Sequence, residues 1–400
     1  MSEVDELPRF PFETDAALEP PAEWAELRAK CPVAHVQLAS GDQAALLLRH
    51  EDVKQILSDP RFTRPTPQDD AAKMADVESG GIFNSEMAVA IPQEGERHLT
   101  WRRSIGKWFT AKRMNALRPG IATMAEQLVD DMVAKGAPAD LKASLGFPLP
   151  VWVICDMLGV PDADRDRFSH WSDVMLSMTK FTQEEMDAAQ REFWQYMGGH
   201  IAAKRANPGD DILSALLRED EPMSDTTLIA TGMGLLIAGH ETTANMITKM
   251  VAMLLSDRRL WEDLLENPAL VRTTVEEALR LDANGGLGMS RFITEEIEIG
   301  GVVLPAGTTA MCSMGAANRD ETVFDRAAEM DLRRTPNQHL AFGAGAHACL
   351  GQPLARTELQ VVLEVLLRKL PSLELAVSVD DLRRVEGLVV GGLVELPVRW

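Results

Sequence analysis

The chain has 400 residues, of which 46% are hydrophobic and 25% charged, a composition that excludes wholesale disorder. Its formal net charge of −21 argues against nucleic acid or anionic lipid as the main partner, because both attract basic surfaces. The acidic beginning lacks the pattern of a secretory signal, no apolar run reaches the ~20 residues of a membrane span, and the four cysteines form no spaced framework. We therefore expect a reduced, cytoplasmic protein.

The first part of the chain carries short elements and then a long loop. Strand patterns cover residues 33–38 and 44–48, and a brief helix follows at His50–Ser58. Residues 59–93 lack periodicity, which predicts a loop of a length that usually has a function. From 94 to about 282 the pattern is helical. Helix ends are predicted at four breaks rich in Pro and Gly: Arg118-Pro119-Gly120, Gly136-Ala137-Pro138, Gly159-Val160-Pro161 and Asn207-Pro208-Gly209.

The longest predicted helix, Ser224–Ser256, is apolar on almost every face near its middle, so it should cross the interior. After Leu281 the pattern changes to short strands, at 289–293, 297–299, 302–304 and 308–312. An amphipathic helix at Gln352–Leu370 and strand pieces at 388–390 and 394–398 follow. The sequence thus predicts a mainly α protein with a small β portion. We expect one domain over residues 1–400, with β-containing parts at about 33–58, 284–312 and 380–400 and helical parts at about 94–282 and 350–370.

The sharpest motif is a glycine-rich segment around a cysteine, FGAGAHACLG at residues 342–351. Glycine accepts positive φ, so backbone N–H groups can approach one atom closely. Such groups, with the dipole of the helix that follows, favour a thiolate at Cys349 and so suit metal ligation. Because this segment supplies only one cysteine, the metal must find its other ligands elsewhere, as iron does in a porphyrin. The bland alternative for a lone cysteine is a buried structural thiol beside a turn.

This segment resembles the haem-binding signature FxxGxxxCxG of the cytochrome P-450 family, in its soluble bacterial type, and the resemblance spans about residues 20–400. It implies the cytochrome P-450 fold, a triangular helical body whose long central helix crosses the haem. It also implies haem b (iron protoporphyrin IX) as the cofactor, Cys349 as the axial ligand of its iron, and Phe342 and Gly343 beside the haem.

A second motif is ExxR. Glu277 and Arg280 share a helix face, and taken alone they indicate an ordinary surface ion pair. The resemblance implies instead the family's structural pair, which joins a third charged partner and fixes the fold around the haem. Arg334 is the candidate for that partner.

A third motif, AGHETT at residues 238–243, lies in the middle of the long apolar helix. An unpaired acid or alcohol in a dry helix interior is costly, unless the segment is a solvated patch. Gly239 permits a local opening of the helix, and a Thr hydroxyl can bond the freed carbonyl. The resemblance implies that Ala238 and Gly239 contact the haem. It also implies that Glu241 and Thr242, with ordered water, deliver protons to the dioxygen that the haem activates.

A fourth motif, HxxxR, places His98 and Arg102 on one helix face, where such a pair is most often a surface feature. The resemblance implies that they bind the haem propionates together with Arg291 and His347, since charge-assisted donors suit carboxylates. His339, just before the cysteine loop, is interpreted as structural.

Residues 97–118 contain seven basic residues and no acid, which is unusual in so acidic a chain. The run is either a solvated face or a docking patch for an acidic electron donor such as a ferredoxin, since complementary charge raises the rate of encounter. The candidate patch residues are Arg103, Lys107, Lys112 and Arg113.

The resemblance also implies a substrate pocket enclosed by several separate segments, including the long loop and the terminal turn at 389–392. Methionine adapts to bulky apolar ligands, although each such residue is alternatively core. The Gly-rich run at 283–288 and the presence of a single tyrosine leave the shape of the pocket open. The candidate lining residues are Met87, Gly234, Ala238, Leu287, Met289 and Val390.

Three functions remain open. The first is a monooxygenase, an oxidoreductase that uses O₂ to hydroxylate a small apolar or aromatic molecule in natural-product tailoring. Its electrons come from NAD(P)H through ferredoxin reductase and ferredoxin, and it is expected to be a monomer. The second has the same iron chemistry but ends in oxidative C–C or C–N coupling or cyclisation. The third is a non-catalytic haem sensor or carrier, which Glu241 and Thr242 argue against because a carrier needs no proton delivery.

Overall fold

The computed structural model describes residues 7–14, 16–65, 70–74, 89–176, 181–282, 286–385 and 391–400. Its α-helices are α1 (Ala22–Lys30), α2 (His50–Ser58), α3 (Gly95–Gly106), α4 (Ala111–Lys135), α5 (Pro148–Leu158), α6 (Arg165–Leu176), α7 (Gln183–Ala206), α8 (Ile212–Leu216), α9 (Asp225–Ser256), α10 (Arg258–Glu266), α11 (Val271–Leu281), α12 (Met314–Ala317) and α13 (Gln352–Lys369). Its strands are β1 (Val33–Gln37), β2 (Gln43–Leu47), β3 (Ala139–Asp140), β4 (Met289–Phe292), β5 (Ile297–Ile299), β6 (Val302–Leu304), β7 (Thr309–Cys312), β8 (Glu374–Leu375) and β9 (Pro397–Arg399). The described chain is mainly helical with a small β portion, as the sequence predicts.

The predicted long helix is α9, and its first turn explains where it begins. The hydroxyl of Ser224 accepts the N–H of Thr227, which satisfies one of the free donors at the helix start. The helix has 32 residues and is buried along most of its length. It packs against α5, α7 and α13 and thus forms the centre of the helical body.

One predicted helix end is wrong. We expected a stop at Arg118-Pro119-Gly120, but α4 continues through Pro119 to Lys135. Proline costs one backbone hydrogen bond there, and packing outweighs that cost. The apolar face of α4 is buried, and three ion pairs join α4 to α13: Arg118–Glu364, Arg368–Glu126 and Lys369–Asp130. None of these distant partners is visible in the local pattern. The other three predicted breaks are confirmed, at the ends of α4, α5 and α7.

The main sheet has the strand order β1-β2-β7-β4. Strand β2 pairs with β7 in parallel, whereas β4 pairs with β7 antiparallel and places Arg291 beside Ala310. A single antiparallel bridge, Thr63 to Phe292, continues the sheet into the segment after α2. The apolar side of α2 packs against the main sheet, so this sheet and the end of α2 form one unit beside the cysteine loop.

Smaller differences follow from long-range pairing. Strand β9 pairs with both β3 and β8, an arrangement that involves residues more than 250 positions apart in the chain and that the sequence pattern missed. The predicted strand at 388–390 lies outside the described residues. Within the described ranges, no helix is both long and apolar enough to cross a lipid bilayer.

Candidate active site

The cysteine loop is shaped by two glycines. Gly343 and Gly345 have φ values of +69° and +70°, a region that other residues rarely adopt. A Cβ on Gly345 would also lie 2.6 Å from the carbonyl oxygen of Leu57, so the close approach of α2 requires glycine there. The N–H of Cys349 donates to the carbonyl of Phe342 at 2.8 Å and closes the loop. Cys349 is thus exposed just before α13 begins.

Two backbone N–H groups, those of Gly351 and Gln352, donate to the Cys349 sulfur. Desolvation by the surrounding protein raises the pKa of the thiol, and the N–H groups of Gly351 and Gln352 and the charge of Arg102 lower it. The donors therefore act in the predicted direction but do not outweigh desolvation. A metal cation bound at this sulfur would supply the remaining positive charge, because a ligating thiol is deprotonated.

Five basic side chains converge beside this loop: Arg64, His98, Arg102, Arg291 and His347. The rings of His98 and His347 stack with centroids 4.5 Å apart. Burial, followed by the charges of the other four groups, lowers the pKa of His347 to about 3. The four residues predicted to bind propionates therefore lie together, and Arg64 is an addition that the sequence did not indicate.

This cluster has no acidic partner among the described residues. Arg102 donates to the carbonyl of Ala348 at 2.6 Å and Arg291 to that of Ser290 at 2.8 Å, but neither forms an ion pair within those ranges. Desolvation lowers the pKa of both guanidinium groups. Buried like charges are costly unless anions neutralise them. The donor set therefore fits a ligand with two carboxylates, and haem b with its two propionates is such a ligand.

In its middle, α9 presents one accessible face. The residues there that are not buried recur every three to four positions: Gly234, Leu235, Ala238, Gly239, Glu241 and Thr242. The Thr242 hydroxyl donates to the carbonyl of Ala238 at 2.9 Å. Glu241 Oε1 accepts from the amide nitrogen of Asn245 at 3.0 Å, one turn further on. The predicted acid and alcohol therefore share a face that is open within an otherwise buried helix.

The expected opening of the helix at Gly239 is wrong. The α-helix is continuous from Asp225 to Ser256, so the presence of glycine at position 239 has a different explanation. A Cβ at this position would lie 2.8 Å from Cγ1 of Ile154, so glycine lets α5 pack closely against α9.

His240, which the sequence analysis did not use, is completely buried beside Glu241. Its Nδ1 lies 2.7 Å from the carbonyl of Leu236 and so carries the ring hydrogen. Burial lowers the pKa of His240 and keeps the ring neutral. Its Nε2 is then an acceptor, 4.0 Å from Glu241 Oε2. His240 is therefore a second neighbour of Glu241, in addition to Asn245. The sequence alone does not identify it as an acceptor, because its tautomer is set by the contact with the Leu236 carbonyl.

Glu277 and Arg280 form a buried ion pair in which both side chains are 0% exposed. All five N–H donors of Arg280 are used: two on Glu277 at 2.8 Å, and three on the carbonyls of Asn318, Ala327 and Glu329. Although burial raises the pKa of Glu277, its bonds to Arg280 and other donors bring it below the ordinary value.

Arg334 is the third charged partner, as predicted, since its Nε lies 3.0 Å from both carboxylate oxygens of Glu277. His339 is structural in its contacts: its Nδ1 accepts from Ala341 and its Nε2 lies 3.1 Å from Glu276. Burial alone would raise the pKa of Glu276, but His339 and Arg356 lower it to about 2. Arg356 also lies over the ring of Phe342, which ties this network to the cysteine loop.

The candidate pocket residues differ in their surroundings. Gly234 and Ala238 belong to the accessible face of α9, and Met289 is half-buried at the start of β4. Leu287 is buried in the apolar core of the sheet. Met87 and Val390 lie outside the described residues.

The basic run after residue 97 is partly neutralised. Lys107 lies 2.7 Å from Glu219 and Arg103 3.4 Å from Glu96. The Arg113 guanidinium stacks 3.6 Å from the centre of the Trp108 ring. Beside these residues, an open cleft of about 490 Å³ reaches Arg102 and the cysteine loop; it is lined by Glu96, Leu99, Arg102, Arg103, Gly345 and Ala346.

These features fit a haem-thiolate site, and comparison with known proteins identifies the family. The Cytochrome P-450 family model matches residues 151–376, so the chain belongs to that family. The family uses haem b, and its members are monooxygenases that activate O₂ with electrons from redox partners. This chain is therefore an oxidoreductase of that kind.

Two similar proteins are mycinamicin IV hydroxylase/epoxidase of Micromonospora griseorubida and nocardicin C N-oxygenase of Nocardia uniformis subsp. tsuyamanensis. Each is 41% identical over 397 residues, which cover 98% of this chain and 98% of the relative. Among solved structures, the putative thioether synthase SgvP, involved in the tailoring step of griseoviridin, has a TM-score of 0.93 at 38% identity. That match covers 98% of this chain and 100% of the other.

Proposed function

We propose that this enzyme inserts one oxygen atom into a small apolar or aromatic natural product. The observation that carries the proposal is the exposed Cys349 beside a partly buried cluster of basic side chains for which the described chain has no acid. The names of two relatives, a hydroxylase/epoxidase and an N-oxygenase, describe oxygen insertion into natural products and support the same substrate class.

Cys349 would bind the haem iron, and Phe342 and Gly343 of its loop and Ala238 and Gly239 of α9 would contact the cofactor. His98, Arg102, Arg291 and His347 would hold the propionates by charge-assisted hydrogen bonds, which are shorter and stronger than neutral ones. The bound haem supplies the chemistry that activates O₂. The protein's own task is to orient the cofactor and to move protons.

The hydrogen bonds on α9 support different tasks for the acid and the alcohol. The Thr242 hydroxyl directs its hydrogen to the carbonyl of Ala238, so its oxygen acts as an acceptor that orients a water or substrate group. Glu241 can hold and release a proton, and Asn245 fixes one of its carboxylate oxygens. Glu241 is therefore the proton donor, and Thr242 positions the group through which the proton passes.

Electrons would come from a reduced ferredoxin and its NAD(P)H-dependent reductase. The docking face would be the end of α3 and the beginning of α4, with Arg103, Lys107, Lys112 and Arg113. The cleft that reaches from Arg103 to Arg102 and the cysteine loop supports that placement. Glu96 and Glu219 reduce the positive charge of the docking face. We further propose a cytoplasmic monomer folded as one domain over residues 1–400.

Labelled dioxygen tests the reaction. A library of small natural products is first screened for compounds that shift the Soret band of the purified protein. Turnover of a binding compound under ¹⁸O₂ is then followed by mass spectrometry. We expect one ¹⁸O atom in the product, because insertion transfers an oxygen atom from O₂. A product that has lost two hydrogens without gaining oxygen would establish the coupling or cyclisation alternative instead.

A further inference from the structure

Arg64 lies directly across from Arg291 at the edge of the main sheet. Thr63 and Phe292 are antiparallel partners, and the N–H of Phe292 donates to the carbonyl of Thr63 at 2.9 Å. In an antiparallel register, the next pair along is Arg64 with Arg291. The hydroxyl of Thr294 donates to the carbonyl of Arg61 at 2.7 Å and holds the same segment in place. The backbone therefore fixes two cations side by side.

Arg64 is half-buried, and its buried Nε has no hydrogen-bond partner among the described residues. Desolvation, with the charges of Arg291 and Arg102, lowers the pKa of Arg64 to about 10. A buried guanidinium normally uses its donors on carboxylates or carbonyls, because leaving them unmade costs free energy. An anionic ligand would supply the missing acceptor.

A neighbouring arginine shows the ordinary arrangement. Arg61, three residues earlier, is 45% exposed and lies 2.6 Å from a carboxylate oxygen of Asp59 and 3.6 Å from one of Glu295. The two side chains share one loop and one residue type, but only Arg64 faces the cationic cluster. Arg61 already has carboxylate partners, so of these two arginines only Arg64 needs an anion from outside the described chain.

We propose that Arg64 is a further haem-binding residue, which donates to a propionate carboxylate beside Arg291. This inference rests on haem binding at the proposed site and adds a contact from the segment after α2. A planar guanidinium with several donors suits a carboxylate better than the point charge of lysine. The contact would join the segment after α2 to the cofactor.

The test compares Arg64→Gln, Arg64→Lys and the control Arg61→Gln, each as purified holoprotein. Haem transfer to excess apomyoglobin is followed by absorbance, and the haem reduction potential is measured by dye titration. We expect Arg64→Gln to lose haem at least about tenfold faster than the parent, equivalent to about 1.4 kcal/mol. Its reduction potential should fall, since a nearby positive charge favours the reduced form. The haem-loss rate and reduction potential of Arg64→Lys should lie between those of Arg64→Gln and the parent, and those of Arg61→Gln should equal the parent values.

Equal haem-loss rates and equal potentials for Arg64→Gln and Arg61→Gln would overturn the proposal. If Arg64→Gln folds poorly, Arg64→Lys decides. This variant keeps the charge but lacks the planar guanidinium, so it should still lose haem faster than the parent. A haem-loss rate equal to that of the parent would count against a donor role for Arg64. The reduced carbonyl spectrum of each variant separates this inference from the proposed function. A red-shifted thiolate band with unchanged haem loss refutes the Arg64 contact alone, whereas absence of that band in the parent refutes the haem-thiolate site itself.

Discussion

Glu277→Ala should lower the free energy of unfolding by about 3–5 kcal/mol, because it leaves buried charge uncompensated. Arg280 and Arg334 both donate to this carboxylate, and the Arg280 side chain is 0% exposed. A loss of this size is a large part of the ~5–15 kcal/mol that stabilises a typical protein. We therefore expect low soluble yield and poor haem incorporation. Urea unfolding followed by circular dichroism measures the effect.

The matched control is Glu262→Ala, which removes an exposed ion pair with Arg258 on the adjacent α10. Exposed pairs contribute little, so this variant should stay within about 1 kcal/mol of the parent. The two variants should also differ in pH dependence. Because the folded pKa of Glu277 is below its ordinary 4.5, its contribution is present above that pH and is lost as the pH falls through the folded pKa. Equal stability of the two variants at neutral pH would contradict a structural role for the network.

Glu241→Gln and Thr242→Val should uncouple electron use from product formation. The glutamine cannot donate a carboxylic proton, and general acid catalysis contributes about 10²–10⁴ in rate. We therefore expect product formation to fall at least about 100-fold in Glu241→Gln. In Thr242→Val, NAD(P)H oxidation should continue while peroxide replaces most of the product. Both are measured as product and peroxide formed per NAD(P)H consumed, with the substrate found by the binding screen.

Thr248→Val is the matched control for Thr242→Val. The Thr248 hydroxyl donates to the carbonyl of Ala244, four residues earlier, at 2.8 Å. Thr242 makes the same contact with the carbonyl of Ala238. Thr248 is buried, so it lies away from the accessible face of the helix. Its variant should keep the coupling of the parent. Unchanged coupling in Thr242→Val, or the same peroxide yield in both valine variants, would show that the accessible hydroxyl has no part in proton delivery.

Local features were predictable from the sequence. The start of α9 follows from the Ser224 cap and the apolar run behind it, and the cysteine loop follows from glycines only a few residues from Cys349. The charged partner Arg334 was also found, although only the family resemblance indicated that a third partner was needed.

The remaining features depend on residues far apart in the chain. Pro119 should end a helix by its own chemistry, but the apolar face of α4 is buried in packing with α13, and this packing keeps the helix intact. Arg64 belongs to a loop with no periodicity, and only the pairing of Thr63 with Phe292 brings it beside Arg291. Gly239 was assigned a role in opening the helix because the approach of Ile154 cannot be seen in a local pattern.

The ligand of the haem iron is tested most directly by the absorption spectrum of the reduced protein under carbon monoxide. With Cys349 as the axial ligand, the Soret band should shift to the long wavelength that is characteristic of thiolate ligation, and Cys349→Ala should abolish that band. A band at the position of histidine-ligated haem in the parent protein, or a red-shifted band that survives Cys349→Ala, would contradict the assignment.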